Sequence, residues 1–112
     1  MSRLLAPVVV PPVGTPPAEV LAVLFARYVP LLDTDPTELH GFAATCQGPH
    51  MARLCREAIA NGSQYPFDKM NRWLGFVQGV LAAAGLIDVD VEREVSRPLL
   101  HSLHEQAIPS WR

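Results

Sequence analysis

Apolar side chains recur every three or four positions in several separate stretches of the chain. This spacing places them on one face of a helix. The clearest stretch predicts a helix over residues 67–84, and no alternating apolar–polar run of strand length stands out. The pattern predicts an all-α fold, a compact bundle of four to six short helices centred on that helix. Its apolar stripe is made by Met70, Trp73, Leu74, Val77, Val80, Leu81 and Ala84, widened by Phe76.

Prolines and small polar residues predict where the two helices before residue 47 begin and end. Thr15 is expected to cap a first helix with prolines in its first turn, and Pro30 to end it. A second helix is expected from Asp35, which can form a capping box with Glu38, and its apolar face would reach Cys46.

Similar signals bound the remaining helices. A third helix is expected from Pro49 to the stop signal at 61–62. Gly85 closes the helix predicted over 67–84, and Asp88 or Asp90 is expected to cap the last one. Pro98 either kinks that last helix or opens a new one.

Residues 1–16 form a proline-rich, extended N-terminal arm, because five prolines forbid a regular helix there. Two alternatives remain open for this arm. It is either a disordered tail, or it lies extended across the domain or a partner, since its leucines and valines are apolar for a solvated tail. Residues 17–112 are expected to form a single helical domain.

Composition narrows the classes of function. Apolar residues make up 49% of the chain, and the formal net charge is −2, which argues against a nucleic-acid-coating protein. No apolar run reaches the roughly 18 residues that a membrane span needs. The apolar start resembles a signal peptide only faintly, because Pro7 interrupts it. A cytoplasmic protein is therefore expected.

Gly75 and Gly79 stand one helical turn apart in the predicted helix over 67–84. Each glycine destabilises a helix by roughly 0.5–1 kcal/mol relative to alanine. Close packing on the groove that such residues form would offset this cost. The packing element is either another helix of the same chain or a second subunit or partner.

Two groups of residues are candidates for metal or nucleophilic chemistry. Cys46, His50 and Cys55 lack paired zinc-ligand spacing, so buried structural thiols are favoured over a metal site or a catalytic Cys–His pair. His101 and His104 share a helix face, but a solvated polar face is the favoured interpretation. The prediction is no cofactor, no bound metal and no catalytic residue.

Residues 67–81, followed by Gly85 and by 87–94, resemble a block found in small, mostly uncharacterised proteins of tailed bacteriophages and prophages. The distinctive part is Asn-Arg-Trp-Leu-Gly-Phe-x-Gln-Gly-Val at 71–80. The resemblance covers about a third of the chain. It implies a phage-encoded accessory protein that acts in the host cytoplasm, and it carries over no catalytic residue.

The leading prediction is a non-enzymatic protein, a candidate homodimer, that binds a host or phage protein and inhibits a host factor of defence or regulation. An alternative is a metal-dependent or histidine-using small enzyme built on His50, His101 and His104. Another alternative is a nucleic-acid-binding regulator. For Trp73, a role inside the fold is the favoured interpretation. The candidate contact residues are Arg72, Trp73, Gly75, Phe76, Gln78 and Gly79, because exposed aromatics and arginine anchor interfaces.

Overall fold

The computed structural model of the protein describes residues 4–107, without the side chains of residues 102 and 104–107. Four α-helices and three short 3-10 turns make up its regular structure, and residues 4–107 contain no strand. The predicted all-α fold is confirmed. The helices are α1 (Pro17–Asp33), α2 (Gly48–Asn61), α3 (Phe67–Ala83) and α4 (Val89–Ala107), and the 3-10 turns are Thr37–Leu39, Ala44–Cys46 and Gly62–Gln64.

Helix α1, rather than the predicted α3, lies at the centre of the bundle. It packs against α2, α3 and α4, and most extensively against α2. Its apolar residues at helical spacing are almost completely buried, which provides the main hydrophobic stabilisation. These residues are Val20, Leu21, Leu24, Phe25, Tyr28, Leu31 and Leu32.

Prolines interrupt the helices less than the sequence predicts. Helix α1 continues through Pro30 to Asp33, although the proline removes one backbone hydrogen bond. Burial of Leu31 and Leu32 beyond it offsets that loss. The expected cap is also wrong, because the Thr15 hydroxyl donates to the Pro12 carbonyl and α1 starts without a side-chain cap.

The second predicted helix does not form. Its residues make two separate 3-10 turns, and Asp35 adopts a left-handed backbone with φ of 50° instead of capping a helix. Gly41, between the two turns, and Thr45, within the second turn, have weak helix propensity. Leu39 anchors the segment, since its side chain is fully buried.

The later boundaries agree with the sequence signals. Helix α3 ends in a Schellman motif, in which Gly85 has φ of 76° and the Leu86 amide donates to the Leu81 carbonyl. The Asp88 carboxylate then accepts the Val91 amide and so caps α4. A five-residue connection, 84–88, therefore links two stable helix ends.

Helix α4 is continuous through Pro98. Pro98 is exposed, whereas Leu99 and Leu103 are buried in the shared core. The buried leucines hold the helix against the rest of the bundle and compensate for the missing donor. Pro98 therefore does not open a separate helix.

The described part of the arm, residues 4–16, contacts α1. The Leu5 side chain is buried in the core, and the Ala6 amide donates to the Arg27 carbonyl at 2.9 Å. These contacts hold the start of the described arm against α1. Among the described residues, none of the helices is long and apolar enough to cross a membrane.

Candidate functional site

An open groove of about 670 Å³ lies between the second half of α3 and α4. Helix α4 packs chiefly on α1, so the two helices that form the groove walls are held apart. Its volume lies within the range of about 300–1,000 Å³ that is typical of ligand sites. The lining residues are Gln78, Gly79, Ala82, Ile87, Val89, Glu92, Arg93, Ser96, Arg97, Leu100 and His101.

The α3 wall of this groove consists largely of small residues. Gln78, Gly79 and Ala82 line it, and Gly75 lies one turn before Gly79 on the same side of the helix. A Cβ atom added at Gly75 or Gly79 would meet no heavy atom within 4 Å among the described residues. The alternative that these glycines pack against another helix of the same chain is therefore wrong for the described part.

A buried polar network forms the floor of the groove. Arg27 on α1 donates twice to the Glu92 carboxylate on α4, from Nε at 2.9 Å and from Nη2 at 3.0 Å. The Tyr28 hydroxyl donates to the same carboxylate at 2.7 Å and accepts a hydrogen bond from the Gln78 amide at 2.9 Å. Arg27 also donates to the Ala6 carbonyl at 3.0 Å. The network thus links the arm, α1, α3 and α4.

The ionisation states of the network follow from its contacts. Burial alone raises the pKa of Glu92, but hydrogen bonds from Arg27 and Tyr28 outweigh burial and leave that pKa below its usual value. The hydrogen bond to Glu92 raises the pKa of Arg27. Burial and the same carboxylate raise the pKa of the Tyr28 phenol. The floor is therefore an ion pair with a neutral tyrosine at neutral pH.

Ser96 lies on α4 one turn after Glu92 and also lines the groove. Its side chain is buried, and its hydroxyl oxygen has no hydrogen-bond partner among the described residues. Most buried hydroxyls in native proteins are paired, so an orphaned one needs an explanation.

The α4 rim of the groove is basic. Arg93, Arg97 and His101 are spaced four residues apart, which places them on one side of α4. Arg93 pairs with Asp90 at 3.2 Å, and Arg97 pairs with Glu94 at 3.0 Å. Both carboxylates belong to solvent-exposed residues, and neither belongs to the groove lining.

The sequence-predicted contact residues do not form one surface. Gln78 and Gly79 lie at the groove, whereas Trp73 lies on the opposite flank of α3 and packs partly against the core. Its ring contacts Tyr65, with centroids 5.3 Å apart, and the Lys69 ammonium, 5.7 Å from its ring centroid. These contacts favour a structural role for Trp73 within the fold over a role in contacting a partner.

Of the remaining predicted contact residues, Gly75 lies beside Gly79 as described above, and Arg72 and Phe76 are exposed on the surface of α3. Arg72 is exposed and pairs with Asp68 at 2.9 Å, as their four-residue spacing predicts. Phe76 is 38% exposed, and Gly79 follows it by one turn. Phe76 and Gly79 extend the apolar wall of the groove onto the surface.

The candidate metal ligands are dispersed. No group of three or more histidine, cysteine or acidic side chains suited to a metal ion occurs among the described side chains. His50 is on α2, His101 is on α4, and the side chain of His104 lies outside the described part. Burial raises the pKa of Cys55 to about 12, so its thiol is protonated at neutral pH.

Sequence reasoning missed the two charged residues at the floor. Arg27 lies three residues after Leu24 and four before Leu31, so it interrupts a buried apolar stripe. Glu92 similarly precedes Leu99 by seven residues on α4. A charge within an apolar stripe is a signal for a buried partner. The partner's identity is not encoded locally, because 65 residues separate the two.

Both Glu92 oxygens accept hydrogen bonds, so the network fixes α4 on α1. No protein-family model, curated protein or solved structure matches the chain.

Proposed function

We propose that this protein is a non-enzymatic binding protein, and that the groove between α3 and α4 holds a segment of another protein. The observation that carries the proposal is the open glycine face of α3. Gly75 and Gly79 each destabilise α3 by roughly 0.5–1 kcal/mol relative to alanine, and no described side chain packs there. A partner that approaches the α3 backbone closely would offset this cost.

Apolar side chains on both sides of the groove support the same proposal. Phe76, Val89 and Leu100 are between 38% and 53% exposed and lie on or beside the groove. Clustered exposed apolar residues mark interaction surfaces in soluble domains. Binding there would bury them together with the glycine face.

The biological setting is proposed on the sequence block at 71–80 alone. On that basis, the protein is a phage-encoded accessory protein that occupies a host or phage protein in the host cytoplasm and inhibits a host factor. A homodimer remains the alternative use of the same glycine face. The two uses differ in measured mass, since a homodimer doubles the mass of the purified protein in light scattering.

Site-specific photo-crosslinking in cells that carry the gene tests the groove. A benzoylphenylalanine at position 100 replaces an exposed groove residue, and one at Ile59 replaces an equally exposed residue on α2. We expect a discrete adduct from position 100, identified by mass spectrometry, and none from position 59.

A second variant makes the crosslinking experiment specific to the groove. Gly79→Leu adds a side chain where the wall is open, and leucine is a good helix former, so the variant is expected to fold. The adduct from position 100 should disappear in this variant. Equal adducts from positions 59 and 100, or an adduct that Gly79→Leu does not affect, would refute the groove as the binding site.

A further inference from the structure

We infer that residues 5–8 of the arm form a strap whose release loosens the first half of α4, residues 89–98, while α2 stays packed on α1. This inference goes beyond the proposed function, since it holds whether or not the groove binds a partner. Two features carry it. The strap and α4 share one buried guanidinium, that of Arg27, and the buried residues in the first half of α4 are polar.

The strap is docked on α1 by one residue pair and by apolar side chains. The Ala6 amide donates to the Arg27 carbonyl at 2.9 Å, and Arg27 Nη1 donates to the Ala6 carbonyl at 3.0 Å. The Leu5 side chain belongs to the core, and Val8 packs partly against the core. Residues 4–11 make no other described hydrogen bond to α1. Docking therefore depends on a few contacts around Ala6.

Arg27 contacts the strap and α4 with different nitrogens of one guanidinium. Nη1 donates to the strap, whereas Nε and Nη2 donate to Glu92 at 2.9 and 3.0 Å. All three nitrogens are thus hydrogen-bonded, and Arg27 is only 8% exposed. Release of the strap replaces the Ala6 carbonyl by water. Water beside an ion pair raises the local dielectric constant and weakens the attraction between the charges.

The first half of α4 depends on this ion pair. Between residues 89 and 98 the buried residues are Glu92 and Ser96, and Val95 is half-buried. The two leucines described as buried in α4 lie beyond residue 98. The Tyr28 hydroxyl also donates to Glu92, but a neutral donor holds a carboxylate less strongly than a guanidinium does. A segment with so few buried apolar side chains opens at a lower free energy than the core.

Helix α2 provides a reference that the strap does not touch. Its buried residues are apolar apart from Gly48 and include Met51 and Cys55. No described hydrogen bond or ion pair joins α2 to the strap, to Arg27 or to Glu92. Opening of the first half of α4 therefore leaves the contacts of α2 intact.

The part of the arm that follows the strap permits its release. Val9, Val10 and Val13 are exposed. The hydroxyl and the amide of Thr15 both donate to the Pro12 carbonyl, so these hydrogen bonds stay within the arm. Among the contacts described for residues 5–14, those of the strap alone reach α1 by hydrogen bonds. The strap can thus detach while the helices remain folded.

Hydrogen exchange on the full-length protein tests the inference. Leu5→Ala removes the buried side chain of the strap, and Val9→Ala is the matched control at a position that is 80% exposed. Mass spectrometry follows peptides from 89–98 and from α2. We expect Leu5→Ala to speed exchange at 89–98 by about ten-fold, as for the loss of one hydrogen bond to a charged group, with little change in α2. Val9→Ala should leave both rates unchanged.

A double-mutant cycle tests whether the strap acts through the ion pair. Glu92→Gln removes the charge of the carboxylate and should itself speed exchange at 89–98. Adding Leu5→Ala to Glu92→Gln should then accelerate exchange less than Leu5→Ala does in the wild type, because the two changes weaken the same contact. Exchange of the Arg27 Nε proton, followed by NMR, is a second readout. It should be faster in Leu5→Ala than in Val9→Ala.

The other outcomes would overturn the inference. Equal acceleration of α2 and 89–98 in Leu5→Ala would show that Leu5 supports the whole core. Unchanged exchange at 89–98 would show that the arm does not hold α4. Effects of Leu5→Ala and Glu92→Gln that multiply would show that strap and ion pair act independently. If Leu5→Ala does not fold, Leu5→Val makes the same comparisons with a smaller change. None of these results depends on the adduct from position 100, so the proposed function is tested separately.

Discussion

The interface between α1 and α2 and the space between α3 and α4 use glycine in opposite ways. At Gly48 an added Cβ would lie 2.7 Å from the Leu32 carbonyl oxygen, so the missing side chain permits close backbone approach. At Gly79 an added Cβ would meet nothing within 4 Å among the described residues. Glycine therefore permits close contact at one interface and borders open space at the other. The amino-acid sequence alone does not distinguish these two cases.

The two regions also differ in what holds them together. Helix α2 is held by fully buried apolar side chains such as Met51 and Cys55. Helix α4 combines buried leucines with the ion pair between Glu92 and Arg27. A buried ion pair adds geometric definition more than net stability. The position of α4 therefore depends on a buried ion pair as well as on apolar packing, whereas no buried ion pair is described between α1 and α2.

The largest expected change in the free energy of unfolding comes from a substitution on the groove side. Glu92→Ala leaves the Arg27 guanidinium buried without its partner, and should lower the free energy of unfolding by about 3–5 kcal/mol in urea denaturation. Glu94→Ala removes an exposed ion pair with Arg97 and should change the free energy of unfolding by less than about 1 kcal/mol. A loss at Glu92 as small as that at Glu94 would contradict the structural role of the network.

Acid should weaken the same contact. The folded pKa of Glu92 lies below its ordinary value of about 4.5, so the ionised carboxylate stabilises the fold above that value. The stabilisation is lost as the pH falls through the lowered pKa. Unfolding free energies measured from pH 7 down to acid should therefore fall more steeply in the wild type than in Glu92→Gln. Parallel profiles would show that Glu92 is not the linked group.

A smaller loss is expected at the α1–α2 interface. Gly48→Ala forces the Leu32 carbonyl and the Asp35 backbone away from the new methyl group, because the contacts would be 2.7 and 3.0 Å. Overpacking of this kind typically lowers stability by about 1–3 kcal/mol. Thermal or urea unfolding measures the effect. An unchanged stability would mean that the two helices are not in close contact at Gly48.

The smallest expected change is an increase in the free energy of unfolding. Gly75→Ala and Gly79→Ala fill open space and improve helix propensity, so each should raise the free energy of unfolding by about 0.5–1 kcal/mol. Gly85→Ala is the matched control. Its φ of 76° is left-handed, so alanine there should be destabilising by about 1–2 kcal/mol. Destabilisation at Gly75 or Gly79 would indicate that the glycine face is already covered.

The sequence predicted what is encoded locally. The stripe of α3, the stop at Gly85 and the cap at Asp88 depend on residues within a few positions of each other. Pro30 was wrongly predicted to end the first helix, since burial of Leu31 and Leu32 beyond it outweighs a lost hydrogen bond. The open groove was not predictable either, because it depends on where α4 rests on α1.

The burial of Cys55 makes its thiol a reporter of opening of the fold. Its side chain is fully buried, and burial raises its pKa to about 12, so a thiol reagent cannot react with it while the bundle is closed. Cys46 is partly exposed and provides the fast reference reaction in the same molecule. The ratio of the two labelling rates then gives the free energy of opening around α2 without denaturant.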